Sequence, residues 1–140
     1  MNDDGLISKS EYVEHDNDYS NVRDYIYTNG NLTKMISVYE MSGSVSTNTY
    51  NYAYDSKKAP FYYCKTPKWL LQLSFFEYDE GGILFKNNIE TIIGSSEYGT
   101  TTITFDLEYD TDNFVTKQTL KAVYEDGEYS QMWEFTYITK

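Results

Sequence analysis

Few residues in this chain could do chemistry. His15 is the single histidine and Cys64 the single cysteine. A Ser-His-Asp or Cys-His relay needs the imidazole within hydrogen-bond reach of its nucleophile, and the polar stretch Glu14-His15-Asp16-Asn17-Asp18 brings no such partner with it. One cysteine and one histidine also fall short of the four ligands of a structural zinc site. Calcium is a better question, because Asp110-Thr111-Asp112-Asn113 and Asp16-Asn17-Asp18 set oxygen ligands close together. A calcium loop starting at Asp110 would, however, have Val115 where the central glycine belongs and Lys121 where the closing glutamate belongs. Asp and Asn in such runs bond their own backbone, which makes both segments turns. The 22 acidic residues offer many carboxylate pairs, and nothing singles out two of them for glycoside hydrolysis. No enzyme, catalytic residue, metal site or cofactor is expected.

The tyrosines remain. There are 16 of them, with 7 Phe and 2 Trp. A tyrosine offers a rigid amphipathic ring at low entropic cost, which suits sugar or protein recognition. It equally suits the cross-strand pairs that hold a thin sheet together. Tyr62, Tyr63 and Trp133 are the candidate ligand-binding residues.

The aromatic residues are ordered along the chain. An aromatic or apolar residue, any residue and then Tyr recur as Tyr25-Ile26-Tyr27, Tyr52-Ala53-Tyr54, Phe76-Glu77-Tyr78, Leu107-Glu108-Tyr109 and Phe135-Thr136-Tyr137. Three of the five are followed by Asp: Asp55, Asp79 and Asp110. The spacing of roughly 24 to 31 residues is that of a β-hairpin with its connections. Residues two apart on a strand share a face, so each couplet sets two side chains on one side of a sheet. Asn29-Gly30 and Asp126-Gly127 supply hairpin-turn chemistry, and Ser42-Gly43-Ser44 is a third turn. Between the turns lie runs of strand length at 32–41, 45–54, 100–109, 114–124 and 128–138. Strands joined by short turns pair antiparallel.

Two longer segments repeat one hairpin. Residues 25–54 carry Leu32-Thr33-Lys34, Tyr39-Glu40, Gly43 and then Tyr52 and Tyr54. Residues 107–137 carry Val115-Thr116-Lys117, Tyr124-Glu125, Gly127 and then Phe135 and Tyr137. Asp4-Gly5-Leu6-Ile7-Ser8-Lys9 resembles Asn29-Gly30-Asn31-Leu32-Thr33-Lys34 without a preceding couplet. The chain is therefore expected to begin inside a repeat of a longer protein, with a sheet edge able to pair with another chain. The middle departs from the pattern. Thr66-Pro67 reads as a helix start, and Trp69, Leu70, Leu73 and Phe76 follow at helical spacing until Gly81-Gly82. The expected fold is all-β with one short helix: a curved antiparallel meander sheet or half-open barrel of hairpin repeats. The helix, at about 66–76, packs on its concave face or one end. All 140 residues form one domain, long enough to bury roughly two thirds of its unfolded surface without disulfides or metals.

Charge narrows the partners. With 22 acidic against 11 basic residues the net charge is −11, which repels phosphate backbones and anionic lipids. No nucleic acid is expected as partner. No apolar run approaches the ~20 residues of a membrane-spanning helix. Cys64 is expected as a small buried apolar residue. The monomer is the expected state, with edge pairing as its exception.

Taken together, the Tyr-x-Tyr-Asp units, Pro60-Phe61 before the short apolar helix, Lys86-Asn87-Asn88-Ile89-Glu90-Thr91-Ile92 and the closing Tyr-rich hairpin resemble an envelope lipoprotein domain of unknown function. That domain is described as porin-like and occurs in Bacteroidetes-type bacteria. The units are also similar to the tyrosine-aspartate repeats of Rhs-type surface proteins. The resemblance spans residues 4–138. It implies a curved antiparallel sheet, location at the cell envelope, and a lipid anchor on a cysteine of the full-length precursor. It carries over no catalytic residues. Strands with Lys, Glu and Asn on both faces would not make a lipid-facing apolar band. The expected function is then a non-enzymatic envelope domain, binding an extracellular glycan or protein through surface aromatics. The alternative is a structural spacer of a larger surface lipoprotein.

Overall fold

The computed structural model describes residues 5–14, 16, 18–59, 86–124 and 127–136. They form one antiparallel sheet of eight strands in strict sequence order: β1 (Lys9–Glu14), β2 (Tyr19–Thr28), β3 (Asn31–Met41), β4 (Ser44–Lys58), β5 (Asn87–Ser96), β6 (Gly99–Tyr109), β7 (Val115–Tyr124) and β8 (Gly127–Glu134). The meander expected from the couplets is thus the fold. It stays open, with β1 and β8 as its edges, and does not curl into a barrel. No α-helix occurs among the described residues, and the helix expected at 66–76 lies outside them. Among the described residues there is no helix long and apolar enough to cross a membrane.

Turn chemistry sets the strand junctions. Asn29 and Gly30 take φ of 54° and 82°, and Ser42 and Gly43 take 51° and 79°. Two consecutive positive φ angles twist a two-residue turn to match its strands. The Asp110 turn closes differently. Its Oδ1 accepts from the backbone N–H of Asp112 and of Phe114, both at 2.9 Å, while Asn113 adopts φ of 66°. Asp110 therefore acts as a turn former, and no group of three metal-ligating side chains occurs among the described residues.

Each of the three couplets that lie wholly among the described residues ends at an irregularity of the ladder. Tyr25 faces Met35 and Ile26 faces Lys34, yet Tyr27 faces Leu32, leaving Thr33 as an extra residue on β3. Similarly Ala53 faces Thr91 while Tyr54 faces Ile89, which leaves Glu90 extra on β5. Glu108 faces Lys117 while Tyr109 faces Val115, which leaves Thr116 extra on β7. The cause is hydrophobic phase. Leu32 stands three residues from Met35, and Ile89 three from Ile92, so strict alternation would turn Leu32 and Ile89 to the opposite face. One extra residue restores them. Leu32 and Val115 are buried, and Thr33 Oγ1 bonds the Ile26 carbonyl at 3.1 Å on the exposed side.

The packed face gathers Tyr25, Leu32 and Met35, with Ile7, Tyr27, Tyr50, Tyr52, Tyr54 and Ile89 against them. One cross-strand row runs Tyr25, Met35, Tyr50, Gly94. A Cβ on Gly94 would lie 3.2 Å from the Tyr50 ring, so this glycine makes room for the aromatic laid across it. Asn21 and Ser37, both buried on the same face, satisfy each other through a 2.9 Å bond from Ser37 Oγ to Asn21 Oδ1.

Candidate functional site

The densest polar constellation among the described residues lies at one end of the sheet. There the turn after β2, the end of β4, the start of β5 and the end of β6 meet. Asp55 is its centre. Oδ1 accepts from the backbone N–H of Lys57 and of Asn88, each at 3.0 Å. Oδ2 accepts from Asn88 Nδ2 at 3.1 Å and from the Tyr109 hydroxyl in a short bond. Asn31 and Asn87 clasp each other: Asn31 Nδ2 donates to Asn87 Oδ1 at 2.9 Å, and the Asn87 backbone N–H donates to Asn31 Oδ1 at 3.0 Å. Asn87 Nδ2 also donates to the Lys57 carbonyl at 2.9 Å. The Lys57 ammonium sits 3.3 Å from the centroid of the Tyr109 ring, a cation–π contact.

The sequence builds this knot because β4 runs on past its couplet. The strand-length run expected at 45–54 stops one residue short of Asp55. Asp55 lies within β4 instead, which extends to Lys58 with an irregular register between Tyr54 and Lys58. Backbone groups in that stretch lose their ladder partners, and the side chains of Asp55, Asn31 and Asn87 replace them.

What the knot can do chemically follows from who holds whom. An ionised carboxylate has about four lone-pair positions, and four donors occupy those of Asp55. Burial, and then the hydrogen bond and charge of Asp55, push the Tyr109 phenol above its ordinary range, so it stays protonated at neutral pH and donates. Tyr54 and Tyr52 are pushed the same way, chiefly by burial and next by neighbouring tyrosines. Held protonated, the Tyr54 and Tyr109 phenols act as hydrogen-bond donors. The arrangement fastens strand ends.

The couplet tyrosines fasten strands in the same sense. The Tyr54 hydroxyl donates to the Leu32 carbonyl at 2.6 Å, and the Tyr27 hydroxyl to the Ile7 carbonyl at 3.0 Å. Ile7 and Leu32 hold the same place in their units, two residues after a glycine with φ of 72° at Gly5 and 82° at Gly30. The resemblance of residues 4–9 to 29–34 therefore extends to the hydrogen bond each segment receives. In the third unit Asn113 supplies the positive φ and Tyr109 reaches Asp55.

Of the residues expected to bind ligand, Trp133 is the one among the described residues, and it is not part of this knot. Trp133 is half-buried on the edge strand β8 opposite Gln118, and β7 stands between it and β6, the strand of Tyr109. Tyr62, Tyr63, His15 and Cys64 lie outside the described residues. Sequence reasoning missed the knot of Asp55, Asn31, Asn87, Asn88 and Lys57. The available signal was Asn87-Asn88 just before the apolar Ile89: amides at a strand start mark backbone that needs side-chain partners. No protein-family model matches the chain, and no curated protein or solved structure matches it significantly.

Proposed function

We propose that this chain is a non-enzymatic structural module, a ladder of hairpin repeats that serves as a spacer within a larger assembly. The supporting observation is the employment of the couplet tyrosines. Tyr27, Tyr54 and Tyr109 each spend their hydroxyl on a protein acceptor, and Tyr25, Tyr50 and Tyr52 belong to the packed face. Rings engaged in this way hold strands together rather than await a ligand. Location at the cell envelope belongs to the same proposal and rests on the resemblance of the Tyr-x-Tyr-Asp units.

A second reading, a glycan- or protein-binding face, is favoured by one region. On β8, Tyr129 is 51 % exposed and shares its face with half-buried Trp133, and exposed Phe135 follows. Stacking on such rings is how proteins hold sugars. Glycan-array screening of the whole chain, with chemical unfolding of Tyr54→Phe and Trp133→Ala, separates the two. The spacer gives no saturable glycan signal and loses more stability in Tyr54→Phe than in Trp133→Ala. Saturable binding abolished by Trp133→Ala, with the fold retained, would replace it with the binding reading.

A further inference from the structure

Three tyrosines meet ring to ring across the first three strands. Tyr12 on β1 and Tyr39 on β3 both face Asn21 of β2, and Tyr19 stands two residues before Asn21 on the same face. Tyr19 is thus the diagonal neighbour of both. Diagonal positions lie within reach of aromatic side chains, and here the rings follow one another. The centroids of Tyr12 and Tyr19 are 6.0 Å apart with the planes at 60°, and those of Tyr19 and Tyr39 are 6.5 Å apart at 41°. The bond from Ser37 to buried Asn21, at 2.9 Å, runs along the same diagonal and fixes the middle of the arrangement.

Phenol rings in such contact share a chemistry that phenylalanine lacks. A phenol that loses one electron and one proton becomes a phenoxyl radical, with its unpaired electron spread onto the ortho carbons. Two neighbouring phenoxyls join through those carbons. We propose that Tyr12 and Tyr19 form a site of oxidative cross-linking, closed as dityrosine by hydrogen peroxide and a haem peroxidase. Each ring gives up one electron and one proton, and a carbon–carbon bond forms between the two ortho carbons. Each ring then regains its aromaticity as its ortho hydrogen moves to its oxygen. One peroxide takes up the two electrons and two protons and leaves as two waters. The rings close in by small rotations about χ1 and χ2. A biaryl bond keeps its rings twisted, as the 60° tilt already has them.

The couplet tyrosines are employed differently. Tyr27, Tyr54 and Tyr109 fasten strands through hydroxyls that donate to Ile7, Leu32 and Asp55. Tyr12, Tyr19 and Tyr39 meet through their rings, and coupling makes the first of those contacts a covalent tie between β1 and β2. The spacer reading holds without any such bond, so this goes beyond it.

Peptide mapping of the dilute, folded chain after treatment with haem peroxidase and hydrogen peroxide tests the proposal. Cleavage after glutamate, at Glu11 and Glu14, leaves Tyr12 and Tyr19 on separate peptides. Mass spectrometry is expected to find these two peptides joined with the loss of two hydrogen atoms. Their yield does not change with protein concentration, as befits a bond within one molecule. Tyr19→Phe keeps the ring, lacks the phenol and loses the cross-link, whereas Tyr12→Phe transfers it to Tyr19 and Tyr39. Circular dichroism confirms that each variant keeps its sheet, and loss of unmodified Tyr98, 81 % exposed, reports that the oxidant has acted. Oxidised wild-type chain without the Tyr12–Tyr19 product overturns the proposal. So does a product whose yield rises with protein concentration, because that result places the bond between molecules.

Discussion

Leu32 on β3 and Val115 on β7 hold the same place in two copies of one hairpin, and both are buried, at 3 % and 5 % exposure. The strands after them differ. On β4, Tyr50, Tyr52 and Tyr54 are packed against the core. On β8, every residue except Trp133 is exposed. Both hairpins have the same bulge after the same couplet, so register and bulge are written locally, in the couplet and the run that faces it. Burial is not local. β4 has β5 beside it, whereas β8 is an edge. One motif gives the same backbone twice, and its neighbours decide how much of it leaves water.

Mutations can break this comparison or sharpen it. The largest expected effect is Leu32→Ala, which lowers the unfolding free energy by about 2–4 kcal/mol, with about 2 kcal/mol for Val115→Ala because fewer buried carbon atoms are lost. Urea unfolding measures both, and a near-neutral Val115→Ala would mean that the second hairpin is not built like the first. Asp55→Asn follows at about 2–3 kcal/mol, since an amide donor replaces an acceptor facing Asn88 and Tyr109. Tyr54→Phe removes one hydrogen bond and costs about 1 kcal/mol.

The same substitution changes the alkaline limb of stability. Tyr54 and Tyr109 keep their protons in the folded chain at a pH where the unfolded chain has ionised. Their contribution is intact below the ordinary tyrosine value of about 10 and is lost as pH rises above it. Midpoints followed upward from about pH 10 should fall less steeply in Tyr54→Phe than in wild type. The smallest effect is expected in the second hairpin. Lys121 reaches Asp106 at 2.5 Å with both side chains more than half exposed, so Lys121→Ala stays within about 0.5 kcal/mol.

The meander was legible because its signals are short-ranged: Asn29-Gly30 and Ser42-Gly43 dictate tight turns, and the couplets mark strands. The bulges were legible in principle, since the three-residue step from Leu32 to Met35 breaks alternation. They went unread because Thr33 and Glu90 look like ordinary polar strand residues. The Asp55 knot was hidden for another reason. It joins Asp55 to Tyr109 across 54 positions and Asn31 to Asn87 across 56, and only the order of the strands makes them neighbours. An aspartate after a couplet reads as a turn, as Asp110 is, until the long run of β4 is seen.

Cross-strand proton–proton contacts measured by nuclear magnetic resonance test the central claim most directly. The account predicts that Tyr27 lies opposite Leu32, Tyr54 opposite Ile89 and Tyr109 opposite Val115. Contacts that instead placed these tyrosines opposite Thr33, Glu90 and Thr116 would mean a regular ladder with Leu32 turned outward, and would contradict it.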